Sequence, residues 1–152
     1  MTLHTATVNW SRGDAIFTDG KYSRVHMIRF DGGATVMGSP APAIVRPPLS
    51  DPAGVDPEEM LVASASACHM LFVLDFARRA GHIVDSYRDA PIGRMDKDDR
   101  GRMAIVEIVL KPVIGFSGDN EPDAAGIALL HHQAHEACFV ANSLRCEVRV
   151  EV

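Results

Sequence analysis

VDPEEMLVASASACHMLFVLDFARRAG, residues 55–81, reads as one buried helix with a cysteine at its middle. Asp56 stands at the N-cap, Pro57 at the first helical position and Glu59 three residues after the cap, a capping-box spacing with Asp in place of Ser or Thr. Gly81 follows the last turn and suits a left-handed C-terminal cap. Between these signals nearly every side is apolar: Leu61, Val62, Ala65, Cys68, Leu71, Phe72, Val73, Leu74 and Phe76. Ala63, Ser64, Ala65, Ser66 and Ala67 are small enough to let another backbone come close. A helix apolar all round belongs in a core. Cys68 on such a helix has two readings, a small core hydrophobe or a reactive thiol.

The totals narrow the classes. A chain of 152 residues suits one domain, residues 1–152, with a real core. A formal charge of −5 gives no electrostatic case for nucleic acid or an anionic membrane. The opening MTLHTATVNW lacks a basic region followed by an apolar run, so it does not read as a signal peptide. No apolar run is expected to span a bilayer. Three cysteines without a CxxC spacing argue against a disulfide framework, a zinc ribbon or a thioredoxin-type site, and fit a cytoplasmic chain.

Outward from the helix, the pattern is strand-rich. Residues 2–10 favour a strand with Leu3, Ala6, Val8 and Trp10 as core contacts. Residues 11–20 suggest a hairpin with a short strand around Ile16 and Phe17. Residues 22–30 form a second strand, Asp31-Gly32-Gly33 a turn and residues 35–37 a short third strand. Residues 38–56 carry Pro40, Pro42, Pro47, Pro48 and Pro52, which exclude helix and central strand. After the helix, residues 84–95 and 103–113 read as strands around a charged turn at 96–101. Pro122 opens a second helix running to about Ala141, with Ile127, Leu130, Ala134, Cys138 and Ala141 on one stripe. Residues 144–152 alternate as a last strand, Leu144, Cys146, Val148, Val150 and Val152 facing inward. The expected order is βββ-α-ββ-α-β, an α+β fold with a mostly antiparallel sheet.

Each helix thus carries a cysteine on its inward face. If the helices pack together, Cys68 and Cys138 meet from distant parts of the chain. In a chain without structural disulfides such a pair is more often catalytic or redox-sensing than structural. Cys146, on the apolar face of a strand, reads as filler. His131 and His135 are four apart on the second helix, a spacing that suits a metal, although the HExxH order is absent; a polar helix edge is the plainer reading. His26 and His69 are the better candidates for lining a thiol site. His69 points about 100° round the helix from Cys68, so it need not touch the sulfur.

Here a resemblance becomes specific. The DPEEM start, a glutamate ten residues before the cysteine of SACHM, and a second cysteine late in a following helix resemble the OsmC/Ohr family. YSRVHMIRFDGG, DPAGVDPEEMLVASASACHML and HHQAHEACFVANSL are similar to its OsmC-like branch, and the match runs along nearly the whole chain. The resemblance implies an intertwined homodimer of α+β subunits with the cysteine-bearing helix buried. It implies a cysteine-based peroxidase for organic hydroperoxides, serving oxidative or osmotic stress defence, with Cys68 peroxidatic and Cys138 resolving. No bound cofactor is expected; an external dithiol, lipoyl-bound in the Ohr branch, resets the pair. The family sets an arginine beside the thiolate, held by the motif glutamate. Glu58 matches that glutamate, and Arg24 is the first candidate for the arginine, ahead of Arg46 and Arg12. Ten helical residues span about 15 Å. Glu58 and Cys68 on one straight helix therefore need a partner subunit or a returning chain to share an arginine, which places the expected site at a dimer interface. Three features depart from the family pattern: His69 stands where Phe is common, Phe-Val-Ala-Asn follows Cys138, and the proline-rich loop is longer.

Two other classes fit the same residues. One is a non-catalytic homodimer holding a small hydrophobic ligand in an interface cleft, its cysteines merely packed. The other is a metal-binding protein using His131 and His135.

Overall fold

The capping signals around residue 56 act as expected. In the computed structural model, which describes residues 1–152, helix α1 spans Pro57–Arg79. The Glu59 amide donates to Asp56 Oδ1 at 2.7 Å and the Asp56 amide to Glu59 Oε2 at 3.1 Å, a reciprocal capping box. At the other end Gly81 takes φ +79°, and the amides of Gly81 and His82 return to the carbonyls of Arg78 and Ala77. That is a Schellman close, which satisfies carbonyls the helix leaves open.

The chain divides into two compact units, Met1–Met60 and Leu61–Val152. The first holds an antiparallel meander of β1 (Ala6–Asn9), β2 (His26–Phe30) and β3 (Thr35–Gly38), with Ala6 opposite Phe30 and His26 opposite Gly38. The strand expected at Ile16 and Phe17 is instead a 3-10 turn, Phe17–Asp19, closed by Gly20 at φ +73°. Residues 22–25 leave the strand pattern as well. Tyr22 stacks on Phe17 with centroids 4.8 Å apart, and Trp10 meets both rings and donates Nε1–H to the Ser23 carbonyl at 2.8 Å. The expected core role of Leu3, Ala6, Val8 and Trp10 is not met in this chain, where every residue of β1 is exposed. The proline-rich connection is ordered by buried polar groups: Ser39 Oγ accepts from the Asp51 amide at 2.8 Å, and Val55 pairs with Met37 and Ser39.

The second unit holds two sheets. β4 (Ile83–Arg88) pairs antiparallel with β7 (Val113–Ser117). β5 (Ile92–Lys97) pairs antiparallel with β6 (Met103–Leu110), and β6 runs parallel to β8 (Glu147–Val150). The long strand expected at 84–95 is therefore two strands, β4 and β5, while the one expected at 103–113 is β6, ending at Leu110, and β7 follows it from Val113. Pro91 and Pro112, which have no amide hydrogen to give a ladder, sit at the breaks. Asp89 ties the breaks together by accepting the Lys111 amide at 2.7 Å. The second helix also breaks: α2 is Ala124–Ala137, α3 is Phe139–Ser143, and Cys138 lies between in an extended conformation. The order is thus βββ-α-ββββ-αα-β, a mixed α+β fold with three helices and three sheets.

The core of this unit sets Val62 and Ala65 of α1 against Ile108 and Leu110 of β6 and Val148 of β8, with Val140, Ala141, Leu144 and Cys146 around them. Fully burying one Ile or Leu side chain contributes about 1.5–3 kcal/mol, so Ile108 and Leu110, both inaccessible, anchor the sheet to the helix. Contrary to expectation, α1 is long and apolar enough by composition to cross a membrane. Its burial pattern is that of a core helix seated by one stripe. Val62, Ala65, His69, Val73 and Ala77 are buried at spacings of three and four, while Leu71 is 62% exposed.

Candidate active site

Cys68 lies three turns into α1, next to the buried stripe and half-buried. Cys138 is 1% exposed and occupies the break between α2 and α3. Its sulfur does structural work there, accepting the Ala141 amide at 3.4 Å as N-cap of α3. The Cys68 sulfur lies close enough to bear on the Cys138 thiol. Burial pushes the Cys138 thiol pKa up, and a hydrogen bond and charge from the Cys68 sulfur push it further in the same direction. Both are free thiols. Cys146 is also free and packs against the core, as filler should.

Two aromatic residues that the sequence reading did not single out stand beside the thiols. Phe72 is one turn on from Cys68 and Phe139 directly follows Cys138, and their rings meet edge to face at 5.0 Å. They form an apolar pair, with Phe139 largely exposed. The i, i+4 spacing from Cys68 to Phe72 was the available signal.

The histidines sort differently from their spacing. His69, on the buried stripe, faces α2: its Nε2 lies 3.0 Å from His131 Nδ1 with the rings parallel. Burial lowers the His69 pKa to about 4, and the neighbouring His131 and His135 add to the fall. Burial lowers His131 as well, against the opposing charge of Asp89. Asp89, also absent from the sequence reading, accepts from Ser66 Oγ at 2.5 Å. Its charge raises the already burial-raised pKa of Tyr87, whose buried hydroxyl has no partner. His26 belongs to the first unit, where its Nδ1 lies 2.9 Å from the Arg24 carbonyl.

Glu58 is in the first turn of α1 and takes no part in the capping box, which uses Asp56 and Glu59. By helical rise it is about 15 Å from Cys68 along one axis. Arg24, in the first unit, donates to the carbonyls of Tyr22 at 2.9 Å and Gly20 at 3.3 Å, and its guanidinium carbon lies 4.4 Å from the centre of the Tyr22 ring. With Trp10, Phe17 and His26 it lines a cavity of about 420 Å³. Arg46 is exposed in the proline-rich connection, and Arg12 donates to the Ala15 carbonyl. Of the expected site residues, the geometry brings the two cysteines together.

A family description, OsmC-like protein, matches residues 50–152. An OsmC-like protein of unknown function from Vibrio cholerae is 43% identical over 99% of both chains, with a TM-score of 0.97. The chain belongs to the OsmC family. Other solved structures share the fold at lower identity. The organic hydroperoxide resistance protein OhrB of Bacillus subtilis is 19% identical, covering 99% of this chain and 97% of its own, with a TM-score of 0.63. An organic hydroperoxide resistance protein from Legionella pneumophila is 13% identical over 99% and 95%, with a TM-score of 0.69. No curated protein matches the chain. In this OsmC-like chain, Cys68 and Cys138 both fall within the residues the family description covers, as do Glu58 and His69.

Proposed function

We propose that this OsmC-like protein is a cysteine-based peroxidase that reduces small organic hydroperoxides, acting in the cytoplasm in oxidative or osmotic stress defence. The observation that carries this reading is the meeting of a half-buried thiol with a buried one across α1 and the α2–α3 break. The accessible sulfur, Cys68, meets the peroxide. Its thiolate attacks the outer oxygen, the O–O bond breaks, and the departing alkoxide takes a proton to become an alcohol. Cys68 is left as a sulfenic acid. The Cys138 sulfur then attacks the Cys68 sulfur, an S–S bond forms and water leaves. An external dithiol, possessing a lipoyl-like pair of thiols, reduces the disulfide and is itself oxidised. Phe72 and Phe139 suit an apolar substituent on the peroxide.

In this reading Arg24 favours the thiolate and the developing alkoxide, and Glu58 orients that arginine, within a homodimer. The support for a dimer is α1, which in one chain buries a single stripe. The test is a thiol count before and after one equivalent of cumene hydroperoxide. Two of the three thiols are expected to disappear, to return on adding dihydrolipoamide, and to persist in Cys68→Ser. If all three persist in folded wild-type protein, the peroxidase reading fails and a dimer binding a small hydrophobic ligand replaces it.

A further inference from the structure

The groove between α2 and β8 carries a set of groups that the thiol chemistry does not use. A cavity of about 320 Å³ there is lined by His131, His132 and His135 from the helix and by Glu147 and Arg149 from the strand. His131 is 4% exposed. Its Nε2 and the Nδ1 of His135 are shielded from solvent and have no hydrogen-bond partner in the protein. A buried polar atom left unpaired is costly, so two on adjacent turns of one helix call for an occupant.

We propose that His131 Nε2 and His135 Nδ1 bind a divalent late transition-metal ion of the zinc class in this cavity. Imidazole nitrogens at i and i+4 share a helix face and suit Zn²⁺, Ni²⁺ or Cu²⁺. The pairing of the other His131 nitrogen fits the role. Metal-bound histidine characteristically donates its second ring N–H to a fixed acceptor, which sets the tautomer. His131 Nδ1 lies 3.0 Å from His69 Nε2, within a parallel, fully buried ring pair. Donation from Nδ1 to His69 leaves the lone pair of His131 at Nε2, facing the ion. The opposite tautomer would leave a buried N–H with nothing to meet. No three donors converge on one point. Two imidazoles are therefore the protein ligands, and water completes the shell. Arg149 does not oppose the ion with a free charge, because Glu107 holds it at 3.2 Å and Glu151 at 2.6 Å.

The site is independent of the peroxidase reading, and the experiment keeps the two apart. The full-length protein is stripped with chelator, reduced, and titrated with Zn²⁺ by calorimetry. One ion per chain is expected. It is expected to remain in Cys68→Ser/Cys138→Ser/Cys146→Ser and to be lost in His135→Gln. His69→Gln is expected to weaken it by roughly 10–100-fold, as removal of a group orienting a ligand does. The Co²⁺-loaded wild type should lack a thiolate charge-transfer band. His131 is buried, so the half-buried His135 is the primary variant, with circular dichroism confirming its fold. No binding to wild type, binding that survives His135→Gln, or binding that vanishes with the cysteines would each overturn the proposal.

Discussion

Cys138 serves two purposes at one backbone position, and a change there separates them. Its sulfur caps α3 and meets Cys68. Serine keeps a capping oxygen but has no redox chemistry, whereas alanine has neither. Cys138→Ser is expected to consume one peroxide per chain and then stall, with thermal stability close to wild type. Cys138→Ala should stall in the same way and lose a further ~1 kcal/mol in denaturant melts, the usual cost of a lost N-cap. Equal stability of the two variants would show that the sulfur does not cap. His69 gives a pH dependence. Its folded pKa of about 4 lies below the ordinary 6.5, so the unfolded chain binds a proton that the folded chain refuses. Its contribution is complete above pH 6.5 and is lost as pH falls towards 4. Urea melts of chelator-treated protein should lose roughly 2–3 kcal/mol from this group between pH 7 and 4.5, and His69→Gln should flatten that slope. An unchanged slope in a folded variant would mean that the ring is not held neutral by its site. The cysteines were legible from their places on two apolar stripes. The His69–His131 pair was not, because residues 62 positions apart become neighbours only when α1 lies against α2.

At the scale of elements, α1 was readable almost to the residue. Asp56, Pro57, Glu59 and Gly81 each act locally, and the capping box and Schellman close need no distant partner. The strands were less legible. Residues 84–95 and 103–113 read as extended, yet which strand joins which sheet is a matter of tertiary pairing: β4 goes to β7, β5 to β6. Pro91 and Pro112 were the local clues, since a proline leaves a gap in a ladder. The break in the second helix had no comparable signal, because Phe-Val-Ala-Asn is compatible with continuing a helix. Close contact between α1 and the β5–β6–β8 sheet depends on Gly93, where a Cβ would run into the Val62 side chain. Gly93→Val is expected to destabilise by about 1–3 kcal/mol, the range for overpacking. Adding Val62→Ala should recover part of that loss if the clash is the cause. Full additivity of the two changes would place the cost elsewhere.

For the whole molecule, the proposed dimer follows from what α1 leaves uncovered. Its buried stripe accounts for one side, while Leu71 and, beyond the helix, Leu129 and Phe139 remain largely exposed. Light scattering on wild type should report twice the 16.5 kDa chain mass. Leu71→Glu should move the protein towards the single-chain mass while keeping its helical circular dichroism, because position 71 makes no contribution to the buried stripe. A wild type that already runs at the single-chain mass would remove the dimer, and with it the expected interface site for Arg24 and Glu58. The α+β class, the capped central helix, the family and the two cysteines of interest were determined by the sequence itself. Each rests on residue types at short, regular spacings, which backbone geometry and hydrophobic burial translate directly into local structure. The pairing of strands across proline breaks, the kink that turns Cys138 into a cap, the Phe72–Phe139 contact and the buried histidine pair were decided only by the tertiary structure. Each of these depends on which distant surfaces pack together, and long-range packing is a property of the assembled core that no short spacing records.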